Sequence, residues 1–147
     1  MAVGPETVSP IVHPVRGVRI GVAEAWIRKK NRRDLVVLEL AAGSTVAATF
    51  TKNQFCAAPV LVAKQHLADA APRYLLVNTG CANAGTGEPG LADAHRSCAA
   101  LAALAGVNAV EVLPFSTGVI GERLPMERLE AGLPAALAGL REDAWLD

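Results

Sequence analysis

The sequence lacks an excess of charge of either sign. Its 147 residues carry 14 acidic and 14 basic side chains, which gives a net charge of zero at pH 7. Nucleic acids and anionic membranes select proteins with a positive excess, so neither is an expected partner. Long apolar runs are also missing, since no stretch approaches the roughly 20 residues of a membrane-spanning helix. Residues 1–6 show neither the basic start nor the apolar run of a signal peptide, and we expect no targeting segment.

Disulfide and metal-site patterns are missing as well. The cysteines Cys56, Cys81 and Cys98 are odd in number and form no C-x-x-C pair, which is typical of a reduced, cytoplasmic protein. His95 precedes Cys98 on a predicted helix, but two ligands on one helix do not make a zinc site. The histidines are scattered and lack metal-ligand spacing: His13, His66 and His95. We therefore expect no metal site.

The composition is more apolar than that of most independent domains. Hydrophobic residues make up 52% of the chain and charged residues 19%. Soluble domains usually carry about a quarter charged residues, so we expect another chain to cover some apolar surface. The length suits a single domain, taken as residues 1–147. Because the apolar residues Trp145 and Leu146 lie immediately before the last residue, where natural domains usually end in polar residues, we expect this domain to be incomplete at its C-terminus.

Apolar runs separated by turn residues predict β structure in the first half of the chain, after an extended arm at residues 1–12. The polar residues 28–33 predict the loop of a hairpin between the first two strands. Gly43-Ser44 predicts a turn, and residues 64–71 a short helix. Four strands are expected in this half: residues 18–27, 35–40, 45–51 and 59–63.

Strands and helices alternate in the second half. Short strands are predicted at residues 74–77 and 109–113. Apolar residues recur at helical spacing over residues 91–105, and Gly106 is placed to end that helix. A last helix is predicted over residues 125–140. Early strands followed by this alternation indicate a mixed α/β architecture.

The loop predicted at residues 114–121 has side chains suited to acyl transfer. Such reactions need hydrogen-bond donors aimed at the oxygen that becomes negative in the tetrahedral intermediate. The hydroxyl of Thr117 and the backbone N–H of Gly118 can supply two of them, and glycine permits a close backbone approach. From these residues alone, an ordinary Ser/Thr/Gly turn is the simpler interpretation.

Residues 85–90 match G-x-G-x-x-G, but a dinucleotide site is a poor interpretation. The match does not directly follow a strand, as that motif requires. Pro89 removes an amide, and Glu88 places a negative charge where a pyrophosphate would lie. A tight connection that packs against another backbone is the alternative.

Two further features are interpreted as structural. The basic residues 28–33 could bind nucleic acid, but Trp26 is their only nearby aromatic residue and the net charge is zero. A solvated hairpin tip fits better. Cys81 could be a nucleophile beside a helix start, although a small buried residue is the simpler role.

Longer motifs in a fixed order point to a family. They are residues 17–25, Asp34-Leu35, residues 50–53 with 57–60, residues 78–87 (N-T-G-C-A-N-A-G-T-G), and residues 116–122 (S-T-G-V-I-G-E) with Leu124-Pro125. In these motifs the chain from His13 onward resembles the ornithine acetyltransferase family, also called glutamate N-acetyltransferase. The resemblance implies an α+β fold, a layered sandwich of mixed sheets with outer helices.

The resemblance also implies an activity and the residues that carry it. Family members transfer an acetyl group from N-acetylornithine to glutamate in arginine biosynthesis by a ping-pong route, and some also use acetyl-coenzyme A. Their precursor cleaves itself, and the new N-terminal threonine of the β chain is the nucleophile, activated by its own amine. Thr117 and Gly118 match the family's oxyanion pair. The nucleophile and the substrate-binding residues would lie beyond this chain.

Further expectations follow from the same resemblance. This chain would be the N-terminal part of the α chain, with the rest of the α chain and the β chain as partners in an assembly of two α and two β chains. No cofactor is expected, and acetyl-coenzyme A would act as a substrate. A non-catalytic truncated subunit or a partner-binding fragment is the alternative. In the complete enzyme, Gly118→Ala is expected to place a Cβ beside the oxyanion.

Overall fold

The computed structural model describes residues 12–146, so the predicted arm at residues 1–12 lies almost wholly outside the described residues. Strands and helices both contribute to the fold. They follow one another in the order β1 Val18–Ala23, β2 Leu35–Leu40, α1 Ala58–Asp69, β3 Tyr74–Cys81, α2 Gly87–Ala105, a 3₁₀ turn Ala109–Glu111, β4 Val112–Val119 and α3 Met126–Ala138.

The strands form one mixed sheet in the order β1-β2-β3-β4. β1 pairs antiparallel with β2, and β2 pairs antiparallel with β3. β3 and β4 are parallel, because α2 lies between them in sequence and returns the chain to the end of the sheet where β3 began. In this strand order, β4 lies at one edge of the described sheet.

One face of the sheet is covered by the helices. Leu35 and Val37 of β2 point to this face and are fully buried, and Leu76 of β3 and Val112 of β4 belong to the same core. α3 packs against β1 and β2, α1 packs against β4, and α2 contacts both of the other helices. Burial of these aliphatic side chains stabilises the layer by about 25 cal/mol per Å² of apolar area. Within residues 12–146, no helix is both long and apolar enough to cross a membrane.

The opposite face of the sheet is apolar but only partly covered. The register places Val36, Val77 and Phe115 in one row across β2, β3 and β4, and Leu38 and Leu75 in the next row. Phe115 is 43% exposed, and the other four side chains are half-buried. This face contributes to the high apolar content of the chain, and it offers a surface to a further layer of structure.

The hairpin and the long central helix confirm the sequence-based predictions. β1 and β2 pair in register, but β1 ends at Ala23 and not at residue 27, because the N–H groups of Ala25 and Ile27 bond to the Asp34 carboxylate. α2 ends at Ala105, and Gly106 follows as its cap residue with φ 70°. The turn at Gly43-Ser44 is also present, with the N–H of Ser44 bonded to the carbonyl oxygen of Ala41.

Two predicted strands are wrong. Residues 59–63 begin α1, because Pro59 occupies its first turn, where the fixed φ of proline suits a helix and its missing N–H is no loss. The helix predicted at residues 64–71 is the second part of α1. Residues 45–51 have no regular structure, since they are mostly exposed and no strand within residues 12–146 pairs with them.

The prediction of a loop at residues 114–121 is also wrong for most of these residues. β4 begins at Val112, after the 3₁₀ turn that replaces the start of the strand predicted at residues 109–113, and continues to Val119. Thr117 and Gly118 therefore lie in a strand, where pairing with β3 overrides the turn preference of Ser, Thr and Gly.

A close contact between β1 and α3 provides a test of this packing. A Cβ built on Gly21 would lie 1.9 Å from the carbonyl oxygen of Ala136, so Gly21→Ala should force α3 away from the sheet. Overpacking of this kind costs about 1–3 kcal/mol. We expect a loss of that size in the free energy of unfolding of the complete protein, measured by urea denaturation.

Gly139→Ala is the matched control for that substitution. Its added Cβ would keep contacts of 3.4 Å or longer to the same helix, so the free energy of unfolding should change by less than about 0.5 kcal/mol. Equal stability of the two variants would contradict the close contact between Gly21 and α3.

Candidate active site

The predicted oxyanion pair lines an open cleft at the C-terminal end of β4. Thr117 and Gly118 are exposed there, and Thr79 and Gly80 at the end of β3 also line the cleft. The cleft has a volume of about 450 Å³, which lies within the roughly 300–1,000 Å³ of typical small-molecule pockets. Its other wall is formed by basic side chains from the loop between β1 and β2.

Parallel pairing aligns the ends of β3 and β4. Thr79 lies opposite Thr117, and Gly80 lies opposite Gly118. Gly118 has φ 133°, a conformation that other residues rarely adopt, and a Cβ there would lie 2.3 Å from the carbonyl carbon of Gly80. The two backbones therefore approach so closely that only glycine fits at position 118.

This geometry corrects the expected reason for an effect of Gly118→Ala. The added Cβ would point at the backbone of Gly80 and Cys81 rather than lie beside an oxyanion in the cleft. A loss of activity in that variant would therefore report disturbed pairing of β3 and β4. Thr117 is the better position at which to test the chemistry.

Polar contacts hold the ends of β3 and β4 in place. The Ser116 hydroxyl donates to Asn78 Oδ1 at 2.6 Å, and Asn78 Nδ2 donates to the carbonyl oxygen of Cys81 at 2.9 Å. The Cys81 thiol lies 3.2 Å from the carbonyl oxygen of Glu122. Because Asn78 and Cys81 are both buried, these contacts make the strand ends rigid, and Cys81 occupies a structural position.

An ion pair fixes the segment that follows β4 to helix α2. Arg123 donates to both carboxylate oxygens of buried Asp93, with Nη2–Oδ1 at 2.7 Å and Nε–Oδ2 at 3.0 Å. The hydrogen bond to Asp93, together with its negative charge, raises the pKa of Arg123. The chain leaving the cleft is therefore anchored to the helical layer.

The basic wall of the cleft depends on Asp34. Its buried carboxylate accepts hydrogen bonds from the backbone N–H groups of Ala25, at 2.8 Å, and Ile27, at 2.7 Å. Hydrogen bonds to an ionised carboxylate are stronger than neutral ones, and these two fix the loop that continues into Arg28. The backbone oxygen of Asp34 also accepts from the N–H of Thr79 at 2.9 Å, which ties the loop to the end of β3.

Arg28 links the basic loop to both strands of the cleft. A Cβ built on Gly80 would lie 2.9 Å from the Cβ of Arg28, so the loop packs directly on that glycine. The guanidinium of Arg28 donates to Oε2 of Glu122, in the segment after β4, at 2.5 Å. Lys29 and Arg32 also line the cleft and form no ion pair with any residue from 12 to 146. We call the side chains of Arg28, Lys29 and Arg32 the cationic wall.

The sequence interpretation missed the cationic wall. It predicted a solvated hairpin tip, and the residues are exposed as expected, but they line the same cleft as Thr117. The sequence feature that could have indicated the wall was Asp34, a single acidic residue between a basic run and an apolar strand. Its importance depends on burial, which the sequence pattern did not reveal.

The Gly-rich segment is filled by its own side chains. Asn83 Nδ2 donates to the carbonyl oxygen of Gly90 at 2.8 Å, and the Thr86 hydroxyl donates to Asn83 Oδ1 at 2.8 Å. A Cβ on Gly90 would lie 1.8 Å from that hydroxyl oxygen. Gly90 therefore allows the chain to pack against itself at the start of α2. The connection is tight, as expected, but the side chains of Asn83 and Thr86 fill the space next to Gly90 in place of another backbone.

The buried histidine and Cys98 have structural positions. His66 is buried with Nδ1 2.8 Å from the carbonyl oxygen of Val112, and its ring contacts that of His95. Burial raises the pKa of the Cys98 thiol to about 12, which keeps it protonated and unreactive near neutral pH. No three His, Cys, Asp or Glu side chains in the described part of the chain are grouped so that they could hold a metal ion.

Known proteins are similar to this chain over most of its length. Residues 19–145 match the family model described as the ArgJ family. The chain is 57% identical over 136 residues to the arginine biosynthesis bifunctional protein ArgJ of Pseudomonas fluorescens (strain Pf0-1). That match covers 92% of this chain and 33% of the relative, so the chain spans about a third of the relative's length.

Two solved structures share the fold. Ornithine acetyltransferase from Mycobacterium tuberculosis, solved in complex with ornithine, matches with a TM-score of 0.82 and 37% identity over 88% of this chain and 69% of that chain. The bifunctional protein ArgJ from Bacillus halodurans matches with a TM-score of 0.75 and 30% identity over 84% of this chain and 70% of that chain. These matches confirm the predicted α+β fold.

The role of Asp34 can be tested by exchanging its carboxylate for an amide. Asp34→Asn keeps the shape but replaces one acceptor oxygen by an NH₂ group, which then faces the backbone N–H of Ala25 or Ile27. A buried donor without a partner costs about 1–3 kcal/mol. We therefore expect faster hydrogen exchange at these two amides and a stability loss of that size. Asp69→Asn, at an exposed site on α1, should change neither, and unchanged exchange in Asp34→Asn would contradict the role of the carboxylate.

Proposed function

This chain belongs to the ArgJ family, and on that premise we propose that it supplies the oxyanion-stabilising groups of an acetyltransferase. In the complete protein an acetyl group would move from N-acetylornithine to glutamate, a glutamate N-acetyltransferase reaction of arginine biosynthesis. The hydrogen-bond donors are the Thr117 hydroxyl and the Gly118 backbone N–H. The nucleophilic threonine is contributed by the β chain of the same precursor.

The proposed reaction consists of two transfers. In the first, the threonine hydroxyl of the β chain attacks the acetyl carbonyl of N-acetylornithine, and the carbonyl oxygen becomes an oxyanion that Thr117 and Gly118 stabilise. The carbon–nitrogen bond breaks, ornithine leaves with the proton of the hydroxyl, and an acetyl ester remains on the threonine. In the second, the amine of glutamate attacks the ester, the carbon–oxygen bond breaks, and the threonine recovers a proton. Acetyl-coenzyme A would serve as an alternative donor in the first transfer, with its thiol as leaving group.

The position of the pair in the cleft supports this proposal. Thr117 and Gly118 line the cleft at the end of an edge strand, where alternate backbone amides have no partner within the described sheet. Such amides are free to donate to a ligand. The contact between Gly118 and Gly80 limits movement of the backbone, and donors that are held in place stabilise developing charge without reorganisation.

The remainder of the precursor would pack on the partly covered face of the sheet. Val36, Leu38, Leu75 and Val77 make this face apolar, as expected of a surface that another layer covers. Thr117 belongs to the same face, since the register places it two residues beyond Phe115. A layer on this face, from the rest of the α chain and the β chain, would bring the nucleophile toward the cleft in an assembly of two α and two β chains.

Thr117→Val in the complete enzyme tests the oxyanion assignment. The substitution removes the hydroxyl while keeping a branched side chain, so the transition state loses one hydrogen-bond donor. Loss of one such donor lowers kcat by about 10²–10³-fold, and we expect this fall in both transfers. Ornithine release measures the first transfer, and discharge of the acetyl-enzyme by glutamate measures the second.

Thr45→Val is the matched control for that measurement. Thr45 is exposed near the opposite end of β2 and does not line the cleft, so this variant should keep the wild-type kcat. A Thr117→Val enzyme as active as the control would remove the pair from the mechanism.

The isolated chain should show no transferase activity, because it would supply oxyanion donors without a nucleophile. Ornithine release from N-acetylornithine is measured with the purified chain of 147 residues and with the same chain co-expressed with the remainder of the precursor. We expect turnover only in the second sample. Clear turnover by the isolated chain would contradict the proposed division of the active site.

A further inference from the structure

We propose that the cationic wall binds the side-chain carboxylate of the acetyl acceptor. This inference rests on the proposed function and extends it from the reacting carbonyl to the choice of acceptor. It replaces the expectation that all substrate-binding residues lie beyond this chain, because Lys29 and Arg32 line the cleft. The substrate class that it assigns to the wall is the acidic amino acids, represented in the proposed reaction by glutamate.

The balance of charge in the cleft supports this assignment. Arg28, Lys29 and Arg32 line the cleft together with a single carboxylate, that of Asp34. The Asp34 carboxylate is buried and bonded to two backbone N–H groups, so its charge is already stabilised within the loop. The cleft therefore presents a positive excess to a bound molecule, although the whole chain has no net charge.

The basic side chains of this loop differ in the contacts that they make within the protein. Arg28 pairs with Glu122 and packs on Gly80, so it positions the wall. The ammonium group of Lys30 lies over the ring of Trp26, 5.8 Å from its centroid.

Lys29 and Arg32 are the members of the wall that can bind a ligand. Both line the cleft, and neither forms an ion pair with a described residue. An arginine guanidinium binds a carboxylate through two parallel hydrogen bonds, whereas a lysine acts as a single point charge. Together they suit a carboxylate at the end of a flexible side chain.

The two amino acids of the proposed reaction differ in the charge at the end of their side chains. Glutamate ends in a carboxylate, whereas ornithine and N-acetylornithine end in an ammonium group. A cationic wall attracts the first and repels the second. It would therefore favour departure of ornithine after the first transfer and entry of glutamate before the second.

The test uses the double variant Lys29→Gln, Arg32→Gln in the complete enzyme, with the two transfers measured separately. Loss of charged hydrogen bonds at an exposed site should raise KM for glutamate about tenfold at low salt, with kcat unchanged because binding is lost equally in ground and transition state. Glutamine has the shape of glutamate without the charge, and the variant should use it as well as the wild type does. KM for N-acetylornithine should stay the same or fall.

Lys64→Gln is the matched control, because Lys64 is exposed on α1 and lies outside the cleft. It should leave all of these constants at their wild-type values. Equal losses with glutamate and glutamine in the double variant would indicate a structural role for the loop. An unchanged KM for glutamate would show that the wall does not contact the acceptor. This conclusion would hold even if KM for acetyl-coenzyme A changed. Either result overturns the proposal.

Failure of this proposal is distinguishable from failure of the proposed function. The first transfer requires no glutamate and depends on Thr117, whereas selectivity for glutamate depends on Lys29 and Arg32. Unchanged selectivity in the double variant, with Thr117→Val impaired in both transfers, would remove the acceptor subsite and leave the oxyanion assignment standing.

Discussion

The close backbone contact between Gly80 and Gly118 is the constraint on which the cleft depends. A side chain at position 118 would enter the backbone of β3, and one at position 80 would crowd the Cβ of Arg28. Because neither glycine has a Cβ, the end of β4 lies close against the end of β3, and the basic loop packs on the end of β3. The proposed oxyanion donors and the cationic wall therefore share one support, and a shift of β3 would displace both.

Polar contacts around these glycines limit how far the supports can move. Asp34 holds the basic loop through two backbone amides, while Asn78 and Ser116 join the strand ends beside the cleft. On the far side, Arg123 secures the outgoing segment to Asp93. Carboxylates bonded in this way act as fixed acceptors, so the base of the cleft is preorganised. A fixed base with exposed basic side chains at the rim suits the proposed binding of two amino acids of different side-chain charge in turn.

Local pattern predicted those parts of the fold that depend on neighbours in sequence. The hairpin of β1 and β2 and the helix α2 with Gly106 at its end were predicted because turn residues and helical spacing act over a few positions. Residues 59–63 were mistaken for a strand, since an apolar run of that length suits either a buried strand or the first turns of a helix, and Pro59 decides for the helix. Thr117 and Gly118 were assigned to a loop although they lie in β4, because a parallel partner 38 residues away in sequence is not visible in a local pattern.

The sequence by itself determined the family and the α+β class, because long motifs in a fixed order require few assumptions about distant contacts. It also suggested Thr117 and Gly118 as the oxyanion pair, which stays a prediction. Only the tertiary structure decided that the basic residues after Trp26 share a cleft with Thr117, and that Asp34 is the buried group that holds them there. The physical reason is the sheet order. Antiparallel pairing of β2 with β3 and parallel pairing of β3 with β4 bring residues 28–34, 79–80 and 117–118 to the same end of the strands, and such pairings are set by long-range packing rather than by composition or spacing.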